Sequence, residues 1–317
     1  MPLFSVIVPC WNAEDTLEAT LSSVERQSFP DFEVVVMDDG STDATAAIAA
    51  RFAARDCRFK LITLEQGGPS NARNVAAFSY AKGQVLAFLD ADDLWVENKL
   101  LRMAELFCRS DAPDALYGRI GFFRAGSGTF EESSVRTYST VKTEALTPGD
   151  LLRENAVCTM SNVVVHADAF KASGGFDTTL RYGEDVEWMV RLIADGRRIE
   201  GLDEVLVYYR TSDSGLSANL AAMHEGWSKT LETVRRADPA LGPREVAAAE
   251  AVHLRYLARR ALRVRASRRA AFDLVLAALA KSPRGFFSDP RRGGLTLLAA
   301  IADLVMPRSL RKFAAMH

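Results

Sequence analysis

The chain has 317 residues, of which 48% are hydrophobic, 25% charged and 9% aromatic; this composition fits a globular protein with a sizeable core and excludes disordered, collagenous and disulfide-stapled classes. A formal net charge of −2 supplies no global positive field, so no nucleic-acid partner is expected. The charge is unevenly placed: residues 220–317 carry 18 Lys and Arg against 8 Asp and Glu, so a basic tail follows an acidic body.

Short β-branched runs alternate with helical patterns through the first hundred residues, the pattern of βαβ units in a mostly parallel sheet. Phe4 to Val8 is predicted as a first strand. Its flanks lack a basic n-region or a small-residue cleavage site, so no signal peptide is expected. Leu17, Leu21 and Val24 recur at helical spacing between Glu14 and Gln27, and Phe32 to Met37 returns to strand. After the turn Asp38-Asp39-Gly40-Ser41, Ser41 or Thr42 is placed to cap a helix over Ala44 to Ala54. Phe59 to Leu64 is a third strand. Pro69 opens a helix predicted to end near Gly83, and Val85 to Leu89 is a fourth strand running into Asp90-Ala91-Asp92-Asp93. Leu100, Met103, Ala104 and Phe107 mark another helix, and a hairpin is expected near residues 116–138 around Gly126-Ser127-Gly128. Asn162 to His166 reads as strand, a helix follows Tyr182-Gly183-Glu184-Asp185 through Ile193, and Val205 to Tyr209 is the last strand. From residue 219 the chain is rich in Ala, Leu and Arg without strand signal, which divides it into residues 1–218 and 219–317.

Cys10, Cys57, Cys108 and Cys158 form no CxxC pair, and His166, His224, His253 and His317 show no zinc-ligand spacing; a reduced, cytoplasmic chain is expected. The late apolar run Leu295 to Met306 falls short of the ~20 residues a spanning helix needs and contains Asp303, so no transmembrane segment is expected.

Ligands of open α/β sheets gather outside the carboxyl ends of the strands, where this sequence places Trp11-Asn12, Asp38-Asp39, Gly67-Gly68, Asp90, Asp92 and Asp93. Neither G-x-G-x-x-G nor G-x-x-x-x-G-K-[ST] follows the first strand, which excludes Rossmann dinucleotide and P-loop sites. Carboxylates at strand ends suit a hard divalent cation, which takes one or two of them together with substrate phosphates.

Val6-Ile7-Val8-Pro9-Cys10-Trp11-Asn12, Val36-Met37-Asp38-Asp39-Gly40-Ser41-Thr42-Asp43, Gly68-Pro69-Ser70-Asn71-Ala72-Arg73-Asn74 and Phe88-Leu89-Asp90-Ala91-Asp92-Asp93 resemble, in order and spacing, the successive motifs of family 2 glycosyltransferases. Gly174-Gly175-Phe176-Asp177 followed by Tyr182-Gly183-Glu184-Asp185 resembles that family's acceptor-side motif, so the resemblance covers residues 3–210. It implies an α/β GT-A fold, a doubly wound, mixed but mostly parallel sheet, here with a C-terminal helical extension. It also implies inverting transfer of a sugar from a nucleotide donor. By the same resemblance Pro9 and Trp11 lie at the nucleotide, with Trp11 against the base where the family usually has Tyr. Asp39 accepts from a uracil imide, favouring a UDP-sugar; Arg73 lies near the base or phosphates; Asp90 faces the ribose or a metal water. Asp92 ligates Mn²⁺ or Mg²⁺, and Asp185 is the base for the acceptor hydroxyl. Asp38 and Asp93 are assigned to turn or helix-start structure, and Glu184 is the rival to Asp185.

Some relatives carry a histidine after the last strand; here Thr211-Ser212-Asp213-Ser214 follows Arg210, so Arg210 or these hydroxyls would make that contact. No Q-x-x-R-W occurs, which favours transfer of one sugar per encounter. The acceptor is expected to be a glycan or lipid-linked molecule of cell-surface polysaccharide or glycolipid synthesis, and UDP-glucose, UDP-galactose and UDP-N-acetylhexosamine stay open as donors. A non-catalytic carbohydrate-binding or scaffolding protein on a degenerate transferase fold is the alternative.

In the tail, Leu254, Leu257, Ala261 and Val264 share a helical face opposite Arg255, Arg259 and Arg263, expected to be a solvated basic side. Later apolar segments combine with Arg284, Arg291, Arg292, Arg308, Arg311 and Lys312. Such helices either pack within the protein or against a second copy, or lie on an anionic membrane, the last placing the protein peripherally at the inner face of the cell membrane.

Overall fold

The computed structural model describes residues 1–124, 130–153, 155–211, 219–239, 241–264, 267 and 269–305. Two compact units emerge: residues 1–147 with 156–212, and residues 148–155 with 213–317.

In the first unit, strands β1 (Phe4–Cys10), β2 (Phe32–Asp38), β3 (Phe59–Thr63) and β4 (Val85–Phe88) alternate with helices α1 (Leu17–Glu25), α2 (Thr45–Arg55) and α3 (Pro69–Val75). Every residue of β1 and β2 is buried, as strands covered on both faces require. Phe4, Val6 and Val8 join Leu17 and Leu21 of α1 and Phe52 of α2 in one core cluster, while the alternate residues Ile7, Val35 and Met37 are equally buried. β1 pairs in parallel with β2 on one side and β4 on the other, and β2 pairs in parallel with β3. The order β3-β2-β1-β4 reverses between β1 and β4, the switch point where ligands of such sheets collect.

The sheet continues through β8 (Val164–His166), β6 (Ala115–Arg124), β9 (Ile199–Thr211) and β5 (Leu94–Trp95), with β7 (Val135–Tyr138) on β6. β8 is antiparallel to β4 and β6, whereas β6 and β9 run parallel. Helices α4 (Lys99–Phe107), α6 (Ala167–Ala172) and α7 (Glu184–Ala194) complete the unit; α5 (Pro148–Arg153) belongs to the second. The expected hairpin is the antiparallel β6–β7 pair; Gly126-Ser127-Gly128 lies outside the described residues.

Three local expectations need correction. The last strand begins at Ile199, because Ile199 and Glu200 pair with Ala115 and Leu116. The helix from Pro69 is regular only to Val75 and then widens into a π-type turn over Ala76–Tyr80. Ser41 and Thr42 do not cap α2: the amides of Ala44 and Thr45 donate to the carboxylates of Glu14 (2.9 Å) and Asp43 (2.9 Å).

In the second unit, α5 is joined by α8 (Leu220–Ala237), α9 (Pro243–Arg263), α10 (Ala270–Lys281), α11 (Pro283–Phe286) and α12 (Pro290–Val305). Its core gathers Leu254, Leu257 and Ala261 of α9 with Val275 and Ala278 of α10, Phe286 and Ala300. Arg255 is not on a solvated face as expected. It is 3% exposed, and its Nη1 donates to the carbonyl of Phe286 at 2.6 Å, so it ties α9 to α11. Arg308, Arg311 and Lys312 lie outside the described residues.

Candidate active site

The loop leaving β1 is fastened to the loop leaving β2. Asn12 takes φ +46°, a left-handed conformation that asparagine tolerates. Its Oδ1 accepts from the Thr42 amide at 2.8 Å, and its own amide donates to Ser41 Oγ at 3.0 Å. Trp11, just before it, is 53% exposed instead of packed on the sheet. Pro9 is buried in β1 beyond Ile7, the last residue paired with β4, where the strand has a free side that suits proline.

Asp39 is buried and bridges to the next motif: Oδ1 accepts from the Gly67 amide at 2.8 Å and Oδ2 from the Gly68 amide at 2.7 Å. These bonds hold the turn that starts α3, which carries Arg73 and Asn74. Asp38, also buried, accepts from the Ser41 amide at 3.3 Å, the turn role expected of it.

Arg73 connects three motifs. Its side chain is 5% exposed; Nη2 donates to Asp90 Oδ1 at 2.5 Å and Nη1 to Glu184 Oε1 at 3.3 Å. Burial opposes its charge, but Asp90 and Glu184 outweigh it and hold the guanidinium more firmly protonated than usual. Its Nε is buried without a hydrogen-bond partner among the described residues. Burial and the neighbouring Asp185 carboxylate push Glu184 up to about 7 against the pull of Arg73. Asp185, half-buried in the first turn of α7, therefore stands with Glu184 beside the guanidinium.

The register of α7 is set by side chains the sequence did not single out. Asn74 Nδ2 donates to the Phe176 carbonyl at 2.8 Å, and Asn74 Oδ1 accepts from the Phe176 amide at 2.9 Å. Gly175, at φ +74°, leaves no room for a side chain: a Cβ there would meet Asn74 Oδ1 at 2.5 Å. Arg191 of α7 donates to the carbonyls of Ser173 (2.5 Å) and Gly175 (2.7 Å). Phe88, Phe170, Phe176 and Trp188 pack ring on ring beneath, with centroids 5.2–6.4 Å apart.

The loop after β4 rests on a buried polar network. Asp93 is fully buried: Oδ2 accepts from Ser161 Oγ at 2.5 Å and Oδ1 from the Arg210 amide at 3.0 Å. It is thus a network carboxylate and not a turn cap. Burial, then the charges of Asp92 and Asp90, raise it well above the usual carboxylate range. Thr159 Oγ1 donates to Asp90 Oδ2 at 3.0 Å, and Ser161 Oγ accepts from the Asp90 amide at 3.0 Å. Lys99, fully buried and depressed to about 7 by that burial, donates to the Ser161 carbonyl at 3.0 Å. Thr159, Ser161 and Lys99 carried no sequence signal, because a buried hydroxyl or ammonium is recognisable only once its partner is in place.

Asp92 differs from its neighbours in being exposed. Crowding by the surrounding protein, then the charge of Asp90, raises it to about 6. Arg210 Nε donates to its carbonyl at 2.9 Å, which fastens the end of β9 to this loop. Ser212, Asp213 and Ser214 lie outside the described residues. Among the described residues no group of three or more His, Cys, Asp or Glu side chains is arranged to hold a metal ion.

Comparison with known proteins gives consistent matches. A family model described as "Glycosyl transferase family 2" matches residues 5–172, which ends short of Asp185. TuaG of Bacillus subtilis, named as a teichuronic acid biosynthesis glycosyltransferase, is 30% identical over 219 residues, 69% of this chain and 82% of TuaG. WfgD of Escherichia coli, named as a UDP-Glc:alpha-D-GlcNAc-diphosphoundecaprenol beta-1,3-glucosyltransferase, is 37% identical over 140 residues, 43% of this chain and 54% of WfgD. Among solved structures, Staphylococcus aureus TarS in complex with UDP aligns with a TM-score of 0.53 at 23% identity, over 92% of this chain and 91% of that one. The mannosyltransferase PcManGT of Pyrobaculum calidifontis, in complex with GDP-Man and Mn²⁺, aligns with a TM-score of 0.58 at 21% identity, over 97% and 88%. These two likenesses bear on the fold, which is the GT-A arrangement expected from the sequence.

Proposed function

Because the chain belongs to glycosyl transferase family 2, we propose that it is an inverting glycosyltransferase moving one sugar from a nucleotide-sugar, with UDP as carrier, to a hydroxyl of a glycan or lipid-linked acceptor. The process is cell-surface polysaccharide or glycolipid synthesis, as the names of TuaG and WfgD suggest. The observation that carries the reading is the Arg73 guanidinium, which gathers Asp90 from the end of β4 and Glu184, next to Asp185, from the start of α7.

In this reading the exposed Trp11 indole offers a stacking face to the base, and Pro9 sets the direction in which the chain leaves β1. Asp39 holds the Gly67-Gly68 turn and keeps lone pairs for an imide N–H. Arg73 orients Asp90 toward the ribose.

A divalent cation, Mn²⁺ or Mg²⁺, fits the donor set. Asp92 is exposed, and crowding by the surrounding protein together with the like charge of Asp90 disfavours its ionisation, a cost a cation would relieve. With too few protein ligands among the described residues for a complete site, the donor's phosphates would supply the others, as hard cations in such sites commonly arrange. Bound there, the cation would offset charge on the departing diphosphate. Asp185 takes the proton of the acceptor hydroxyl, whose oxygen attacks the anomeric carbon opposite the diphosphate; the leaving group departs with the bonding pair and the centre inverts. The cytoplasm, which suits four cysteines that form no CxxC pair in the sequence, is the proposed location, at the inner membrane face when the acceptor is lipid-linked.

Turnover of UDP-sugars with a glycan or lipid-linked acceptor tests this. Wild type and Glu184→Gln are expected to release UDP in an acceptor-dependent way, and Asp185→Asn to lose about 100-fold or more. Full turnover by Asp185→Asn with a dead Glu184→Gln would move the base by one residue. No turnover by wild type with any UDP-sugar would favour the scaffolding alternative.

A further inference from the structure

α12 is built inside out. Its small residues Gly293, Thr296 and Ala300 are the buried ones, packed within the helical unit. Its larger side chains face away: Leu295, Leu298, Ile301 and Val305 are 59%, 65%, 41% and 71% exposed, and Ala299 and Ala302 among them are exposed too. At about 100° per residue these six share one face, and no charged residue interrupts it after Arg291, which is exposed at its first turn. A helix face turned to water ordinarily carries the polar residues.

We infer that this face of α12 lies in the surface of an anionic lipid bilayer, leucines among the acyl chains and arginines at the phosphates. Charge complementarity favours that occupant. Arg284 and Arg291 are exposed near the start of the helix, and the sequence after Val305 adds Arg308, Arg311 and Lys312 with no acidic residue. An apolar face with basic ends is the pattern of helices that lie in the bilayer interface. As described, α12 is too short to cross, since its 16 described residues rise about 24 Å against a hydrocarbon core of about 30 Å. A coiled coil with a second copy is the weaker occupant: residues 295, 298, 302 and 305 have heptad spacing, but Ala299 and Ile301 stand where charged flanks would be. The stretch is also shorter than the three or four heptads a coiled coil usually sustains.

The inference stands apart from the transferase reading and is tested on the full chain by flotation with vesicles. Vesicles of phosphatidylcholine alone are compared with vesicles containing phosphatidylglycerol, at low and high salt. Wild type is expected to float with the anionic vesicles in a salt-sensitive way. Leu298→Glu/Val305→Glu, which alters only exposed positions, is expected to lose at least tenfold in binding, and Arg291→Glu to lose less. UDP binding measured on the same samples reports whether the catalytic unit is intact, so failure of the transferase reading would be seen separately. Wild type that floats with neither vesicle, or a double variant that floats as well as wild type, overturns the inference. So does a wild-type dimer in lipid-free buffer that the double variant converts to monomer, which would assign the face to a second copy.

Discussion

Arg73 Nη2 donates to Asp90 Oδ1 at 2.5 Å from a side chain only 5% exposed. The same guanidinium reaches Glu184, so removing it would leave two crowded carboxylates without their shared cation. Arg73→Met is expected to cost about 3–5 kcal/mol of stability, the range for stranding a buried charge. Arg73→Lys should recover part of this, since an ammonium can meet one carboxylate but lacks the fork for both. Urea unfolding of the three proteins measures the difference.

Asn74 holds Phe176 by two hydrogen bonds, and through it the turn that leads to α7. Asn74→Ala is expected to destabilise by about 1–3 kcal/mol, the cost of unsatisfied buried backbone groups. Turnover should fall more than donor affinity, because the change loosens the placement of Asp185 and leaves Asp39 and Trp11 alone. Steady-state kinetics beside UDP titration separates the two effects.

Glu184 binds its proton more tightly in the folded chain than when unfolded, its pKa rising from 4.5 to about 7. The stability this gives is full below about 4.5 and is lost as pH climbs to about 7. Wild type should therefore lose about 1–3 kcal/mol across that window relative to Glu184→Gln, whose side chain does not titrate. Denaturation midpoints of both proteins between pH 4.5 and 8 check the slope.

Trp11 is 53% exposed, so Trp11→Ala should leave thermal stability nearly unchanged. If its indole stacks on the base, UDP affinity falls by about 1–3 kcal/mol, which calorimetry reads directly. Trp11→Tyr should retain most of the affinity.

This part of the sheet was legible because its strands are largely apolar runs between turn residues: Phe4 to Val8, Phe32 to Met37 and Val85 to Phe88 lie in strands, Leu89 falling just after the last. Burial on both faces removes any need for alternation, so such runs stand out. The acidic strand ends were legible for the same reason, as polar punctuation after apolar runs. β5 was not, since Leu94-Trp95 is two residues long and owes its state to pairing with Tyr208 and Val207 far along the chain. Asn74, Thr159, Ser161 and Lys99 escaped because their meaning lies in partners dozens of residues away, and no local periodicity encodes those. Arg255 looked solvated because arginine usually is, and the Phe286 carbonyl that holds it belongs to another helix.

The most direct test of the account is calorimetric titration of nucleoside diphosphates, with and without Mn²⁺, into wild type and Asp92→Asn. UDP is expected to bind wild type at least tenfold more tightly with Mn²⁺ than without, in preference to other diphosphates. Asp92→Asn should bind in both conditions as the metal-free wild type does. UDP binding that ignores both the metal and the substitution would contradict the role given to Asp92, and no nucleotide binding in either condition would contradict the transferase reading itself.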